Sequence, residues 1–255
     1  MTNIKTLLVK VPAITLFFWI IKVLSTTVGE TLADYLNSNL GLGDNGTITV
    51  MTVVLIVLLT AQLLLRKYVP GVYWATIVAV STVGTLITDS MHNNFGWQNW
   101  QLTILFGVIL IAVFAIWWTQ EKTLSIKTIN TRKRESFYWI AVLATFAMGT
   151  AGGDIFLDDL GFPLLESTFI FLGVIAIIAG LWRTKVLGSV FGFWSIYILT
   201  RPLGASFGDY LSLGKDEAPD ALGLGAQNVT LVFLGLIVAL VVYLSVSKRD
   251  VIDSE

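Results

Sequence analysis

Cysteine is absent from the 255 residues, histidine occurs once, and only 13% of positions are charged. Without cysteine there are no disulfides, no thiolate metal ligands and no thiol redox chemistry. One histidine cannot form an H-x-x-x-H metal pair, and neither a Ser-His-Asp set nor a phosphate loop is evident, so the reading is not an enzyme. A soluble domain carries about 25% charged residues. A chain that is 55% apolar, with mean hydropathy +0.80, belongs instead in a lipid bilayer. The net charge of -1 is segregated by loop rather than pooled in a patch, which excludes nucleic acid as a partner.

What the chain does contain is a frame, Trp-x9-Gly-x4-Asp, in four copies. These are Trp19/Gly29/Asp34, Trp74/Gly84/Asp89, Trp139/Gly149/Asp154 and Trp194/Gly204/Asp209. Their glycines are spaced 55, 65 and 55 residues apart, so copies one and three, like copies two and four, are separated by 120. That pattern describes a half built from two repeats and then duplicated. The first half is 1–125 and the second 126–255.

Each repeat holds two apolar stretches, and a span needs about 20 residues. The first stretches run Val11–Tyr35, Val72–Met91, Phe137–Ile155 and Val186–Leu211; the second run Ile48–Leu65, Leu102–Trp118, Thr168–Trp182 and Val229–Val246. The fold class expected is therefore an all-α membrane protein with eight transmembrane helices in four parallel two-helix repeats, arranged pseudo-fourfold as two plus two. Thirteen of the sixteen basic residues, from Lys5 and Lys10 to Lys248 and Arg249, fall on one side of these spans. The positive-inside rule then places both termini in the cytoplasm of a cell (inner) membrane. Lys5 and Lys10 precede the first apolar run as in a signal peptide, but no small-residue cleavage site follows, and the run is read as a retained span. Thr119–Glu135 is the basic linker between halves. Gly41, Gly96 and Gly161, each twelve residues after a repeat glycine, suit left-handed helix ends. The fourth repeat has instead a longer acidic loop from Lys215 to Asp220, read as a solvated loop or a lid.

Residues four apart share a helix face, so counting back from each aspartate reads out layers. One step back are Glu30, Thr85, Thr150 and Ala205; two steps back are Thr26, Ser81, Phe146 and Arg201; three steps back are Lys22, Ile77, Val142 and Tyr197. Ionisable side chains within spans cost about 2.5–3.5 kcal/mol each on insertion scales and normally face a bundle interior. Gathered carboxylates need positive company, from Lys22, Arg201, protons or a bound cation. Oxygen-only donors select Mg²⁺, Ca²⁺ or Mn²⁺. The metal-ligand candidates are Asp34, Asp89, Asp154, Asp209 and Glu30. Thr85, Thr150, Thr26, Ser81 and His92 are the supporting polar groups, with Lys22 and Arg201 as counter-charges. The bland alternative has the aspartates capping helices near the outer interface, about 22 Å along the helix from the tryptophans. The tryptophans read as interface anchors or packing residues, and the repeat glycines as sites of close helix approach or local unwinding, with Gly152-Gly153 and Gly208 favouring unwinding beside two aspartates.

The segments KVLSTTVGETLADYL at 22–36 and LTRPLGASFGDYLS at 199–212, within four tandem two-helix repeats, resemble a family of bacterial integral membrane proteins described as a repeat of unknown function. The resemblance covers almost the whole chain and implies a multi-pass inner-membrane protein without implying an activity. The function expected from the residues is transport of a hard divalent cation, with proton exchange as a compatible coupling and no covalent cofactor. The alternatives are transport of a small organic solute or anion held by Arg201 and Lys22, and a non-transporting membrane assembly subunit. The partners are the lipid bilayer and the metal ion or solute; the oligomeric state is not legible.

Overall fold

A computed structural model describes residues 9–251, so Lys5 lies outside the described residues. Among them the chain forms eight α-helices and no strand: α1 (Leu16–Asp34), α2 (Gly43–Leu64), α3 (Pro70–Phe95), α4 (Asn99–Glu121), α5 (Arg132–Asp154), α6 (Leu164–Arg183), α7 (Ser189–Ser212) and α8 (Ala226–Ser247). The helix starts do not coincide with the apolar runs: Thr15, inside the run expected from Val11, starts α1 five residues late, whereas Pro70 and Thr131 lie ahead of their runs. Thr15 and Thr131 accept hydrogen bonds from the Phe18 and Arg134 amides, and Pro70 opens α3. With the polar turn of residues 43–47, α2 begins five residues before the expected Ile48, and α5 begins inside the basic linker: hydropathy sees the lipid-matched middle of a helix, not its polar first turn. Gly41, Gly96 and Gly161 are left-handed, at φ 65°, 69° and 69°.

Seven of the eight helices are long and apolar enough to cross a membrane; α7, which carries Arg201, Pro202 and Asp209, is the exception. It is enclosed by other helices, and a helix that meets little lipid need not be apolar. Unwinding at Gly152-Gly153 is not what the chain does. The helix α5 runs unbroken to Asp154, and the irregularity follows the aspartate as a π-helical turn, Ile155–Asp159, matched by Tyr35–Asn39 after Asp34. The wide turns thus follow copies one and three, while α3 and α7 stay α-helical past their aspartates.

The odd-numbered helices touch in the cyclic order α1, α3, α5, α7 and back to α1. Each even helix makes its main contact with the odd helix of the next repeat: α2 with α3, α4 with α5, α6 with α7, and α8 with α1. No repeat is therefore a self-contained hairpin, and the last one completes the first. The repeat glycines make the ring tight. A Cβ on Gly84 would lie 2.8 Å from the Phe146 Cβ, and one on Gly149 would lie 2.7 Å from the Arg201 Cβ. In the same way Gly29 receives Ser81, and Gly204 receives Thr26. The residue two helical turns before each aspartate thus enters the notch left by the preceding helix's glycine, all the way round.

At the end of the ring nearer the termini the axis is closed by aromatics. Phe18, Tyr73, Tyr138 and Phe193, the residues immediately before the repeat tryptophans, are buried. The Tyr73 and Tyr138 hydroxyls are 2.5 Å apart, and the Phe18 and Phe193 ring centroids 5.9 Å apart. Trp74, Trp139 and Trp194 are buried with them, so these three tryptophans pack the bundle rather than anchor it at the interface. Beneath this floor Lys10, counted from sequence as a loop charge, is buried in an ion pair with Glu135, whose other oxygen accepts from Gln62 at 3.1 Å. The Ala13 amide donates to the Asp250 carbonyl at 2.8 Å and the Tyr68 hydroxyl to its carboxylate at 2.5 Å, tying the segment after α8 to those before α1 and α3.

Gly84→Ala is expected to cost about 1–3 kcal/mol of stability through overpacking. Gly180→Ala, where a Cβ meets nothing within 4 Å, should stay within about 0.5 kcal/mol of wild type. Unfolding of both variants in detergent checks this; equal stabilities would refute the notch reading.

Candidate functional site

All four odd helices point the same way, so their carbonyl ends, each equivalent to roughly half a negative charge, gather at the end where the repeat aspartates lie. Asp34, Asp89, Asp154 and Asp209 are partly accessible there, whereas Thr85, Thr150, Thr26, Ser81, Lys22 and Arg201 below them are buried. The layers counted in the sequence are thus layers of one polar axis that opens at the acidic end.

The acids are not spread evenly over it. Glu30, Asp34 and Asp209 offer carboxylate oxygens that all lie within 4.8 Å of one another, because α1 and α7 are neighbours and Glu30 is one turn from Asp34. Asp89 and Asp154 stand outside this group, and His92 is exposed at the end of α3. Three carboxylates at this separation could together hold a metal ion through oxygen donors alone.

Arg201 forms the base of the cluster. Its guanidinium, with no solvent exposure, forms an ion pair with Glu30 and donates to the Thr85 hydroxyl through the same nitrogen. It also donates to the Thr150 hydroxyl at 3.1 Å and to the Thr26 carbonyl at 3.5 Å. Arginine has five N–H groups, and these contacts occupy four of them. The hydroxyls that receive Arg201 are oriented by their own helices. Thr85 donates its proton to the Ser81 carbonyl at 3.2 Å and Thr150 to the Phe146 carbonyl at 3.0 Å, so both present lone pairs to the axis. Thr85 and Thr150, expected as supporting oxygens, therefore solvate a side chain of the protein itself, whereas the Thr26 hydroxyl donates to the Thr200 carbonyl and the Ser81 hydroxyl is buried without a hydrogen bond among the described residues.

Lys22 departs from its expected role as a counter-charge to the acids. It lies deeper, 4.0 Å from the Phe146 ring centroid and 4.1 Å from that of Tyr197, and donates to the Thr200 hydroxyl at 3.1 Å. It enters none of the ion pairs among the described residues, and the two ring faces and the Thr200 hydroxyl supply its polar contacts. Thr200 and the axial aromatics lie outside the three layers counted back from the aspartates. The aromatic that precedes every repeat tryptophan was the available signal for the floor, while Thr200 has none beyond adjacency to Arg201.

The acidic loop of the fourth repeat is a tether. The Asp220 carboxylate accepts from the Leu165 amide at 3.0 Å and so caps the start of α6, and the Leu222 amide donates to the Tyr210 carbonyl at 2.7 Å.

The model of a family described as Repeat of Unknown Function (DUF347) matches the chain four times, over residues 17–68, 72–123, 137–185 and 192–250. No curated protein matches the chain, and no solved structure does.

Removing one partner of a buried pair leaves an uncompensated charge, typically at a cost of about 3–5 kcal/mol, whereas replacing both is far milder. Arg201→Met is accordingly expected to lower stability by that order, and Arg201→Met/Glu30→Gln to recover most of the loss. Unfolding in detergent measures both; a double variant no better than the single would refute the dependence of Arg201 on Glu30.

Proposed function

The chain belongs to this repeat family of unknown function, and from its acid-ended polar axis we propose that it is an eight-span transporter of a hard divalent cation, built with pseudo-fourfold symmetry. The observation that carries the reading is the convergence of Glu30, Asp34 and Asp209 within 4.8 Å at the accessible end of the axis. The cyclic order of the odd helices and the next-repeat position of every even helix support the pseudo-fourfold construction, and the enclosure of α7 supports its counting as the eighth span. Mn²⁺, Ca²⁺ and Mg²⁺ are the candidates that oxygen donors favour.

Five carboxylates, Glu30 and the four aspartates, lie at this end above one guanidinium that pairs with Glu30, and the helix carbonyl ends add to their negative potential. The surplus is offset by a metal ion or by protons, which makes proton exchange the natural coupling. Asp34, Asp209 and Glu30 act as ligands, and Asp89 and Asp154 draw the ion into the mouth. Arg201 holds Glu30 in place while the site is empty, and an arriving cation competes with it for that carboxylate. The aromatic floor closes the far end of the axis, so this geometry corresponds to a state open only at the acidic side.

The anion reading is weaker on the same observations. Arg201 spends four of its donors inside the protein, and the threonines beside it present acceptors. An anion would meet lone pairs there.

The test is thermal stability of the detergent-purified protein with Mg²⁺, Ca²⁺, Mn²⁺ and Zn²⁺, alongside Asp34→Asn and Asp209→Asn. Ligand at 100 times its dissociation constant adds about 2.7 kcal/mol. One hard metal should stabilise the wild type and neither variant. In reconstituted vesicles, Asp209→Asn should abolish uptake of that metal and Asp89→Asn should slow it, both leaving a folded protein. Stabilisation by carboxylates or phosphates in place of metals would move the assignment to an organic solute, and no stabilisation by either would leave the assembly-subunit reading.

A further inference from the structure

Three cavities on the flank of the bundle meet at Trp182. The first, of about 440 Å³, is a groove along the seam of α1, α6 and α7, and its lining is apolar apart from Thr200. It runs from Trp19 and Trp182 to Leu24, Leu172 and Leu203. Leu172 to Trp182 is ten residues of α6, or about 15 Å along the helix, which is half of the ~30 Å hydrocarbon core and so the depth of one leaflet.

The second cavity, of about 610 Å³, wraps the turn between α6 and α7; it shares Ala179 and Trp182 with the groove and adds Arg183 and Lys185. The third, of about 560 Å³, shares Trp182 with both and contributes Lys127. No Asp or Glu lines any of the three. Lys127, Arg183 and Lys185 enter none of the ion pairs among the described residues. The result is an apolar slot one leaflet deep that ends, at the level where headgroups lie, in three cations with no protein carboxylate among them.

We propose that this seam is a binding site for an anionic phospholipid drawn from the leaflet on the side of the chain termini. One acyl chain lies in the groove, and the phosphate sits at Arg183 and Lys185 with Lys127 beyond it. The depth of the slot fits a lipid anchored at the interface, and its charge selects an anionic headgroup over a zwitterionic one. The position gives the lipid leverage on the polar axis. The seam joins α1 of the first repeat to α7 of the last, where the ring closes, and Thr200 in the groove wall is the hydroxyl that receives Lys22.

The experiment measures retention of lipid by the detergent-purified full chain in native mass spectrometry, together with melting temperature. The probes are phosphatidylglycerol, phosphatidylcholine of the same acyl chains, and inorganic phosphate. Phosphatidylglycerol should bind more tightly than phosphatidylcholine by about fivefold for each engaged basic residue. The triple variant Lys127→Ala/Arg183→Ala/Lys185→Ala, free of any ion pair to lose, should melt like wild type without lipid and retain the two lipids equally. Ile175→Trp, which fills the groove, should weaken both. Equal retention of the two lipids by the wild type, a preference that survives the triple variant, unchanged retention in Ile175→Trp, or protection by inorganic phosphate equal to that by phosphatidylglycerol would each overturn the proposal.

Discussion

A guanidinium enclosed by membrane-spanning helices must find its solvent inside the protein, and this constraint organises the centre of the molecule. Arg201 obtains it from Glu30 on α1, Thr85 on α3 and Thr150 on α5, together with the Thr26 carbonyl. One side chain from α7 thus touches all three of the other inner helices. Any rearrangement that separates these helices leaves either the guanidinium or Glu30 unpaired in a medium where unpaired charge is very costly. The acidic end depends on the same contact, because Glu30 is both the partner of Arg201 and a member of the carboxylate group with Asp34 and Asp209.

The close approach that this contact demands comes from the glycines. Lipid offers helices no hydrophobic reason to associate, so proximity rests on small residues and interhelical hydrogen bonds. Gly149 admits the base of the Arg201 side chain, and Gly204 admits Thr26, whose hydroxyl donates to the Thr200 carbonyl at 3.0 Å. The four notches hold one register around the ring, and that register sets the arginine level with Glu30 and the threonines. The outer helices add to the closure by bracing the next repeat rather than their own.

The two buried cations divide the axis. Arg201 faces the acids, and Lys22, one turn deeper relative to the aspartates, is held by two aromatic rings and a hydroxyl. Below it the four axial aromatics close the bundle, with the Lys10–Glu135 pair and the Tyr68–Asp250 bond beneath them. The polar axis is therefore partly accessible at its acidic end and closed by aromatics at the other.

The sequence by itself determined the eight helices, the four repeats, their common direction and the composition of every layer, because lipid imposes apolar length and helical periodicity imposes the four-residue step. It also marked Arg201 and Lys22 as interior charges, since neither could face lipid. Only the tertiary structure decided which layers interpenetrate. Arginine is long enough to leave its own layer and rise into that of Glu30, Thr85 and Thr150, so a count of Cα positions put it one level too deep. The pairing of each even helix with the following repeat, the gathering of three carboxylates rather than all five, and the separation of Lys22 from the acids depend on contacts between distant segments. Periodicity within one helix carries no record of them.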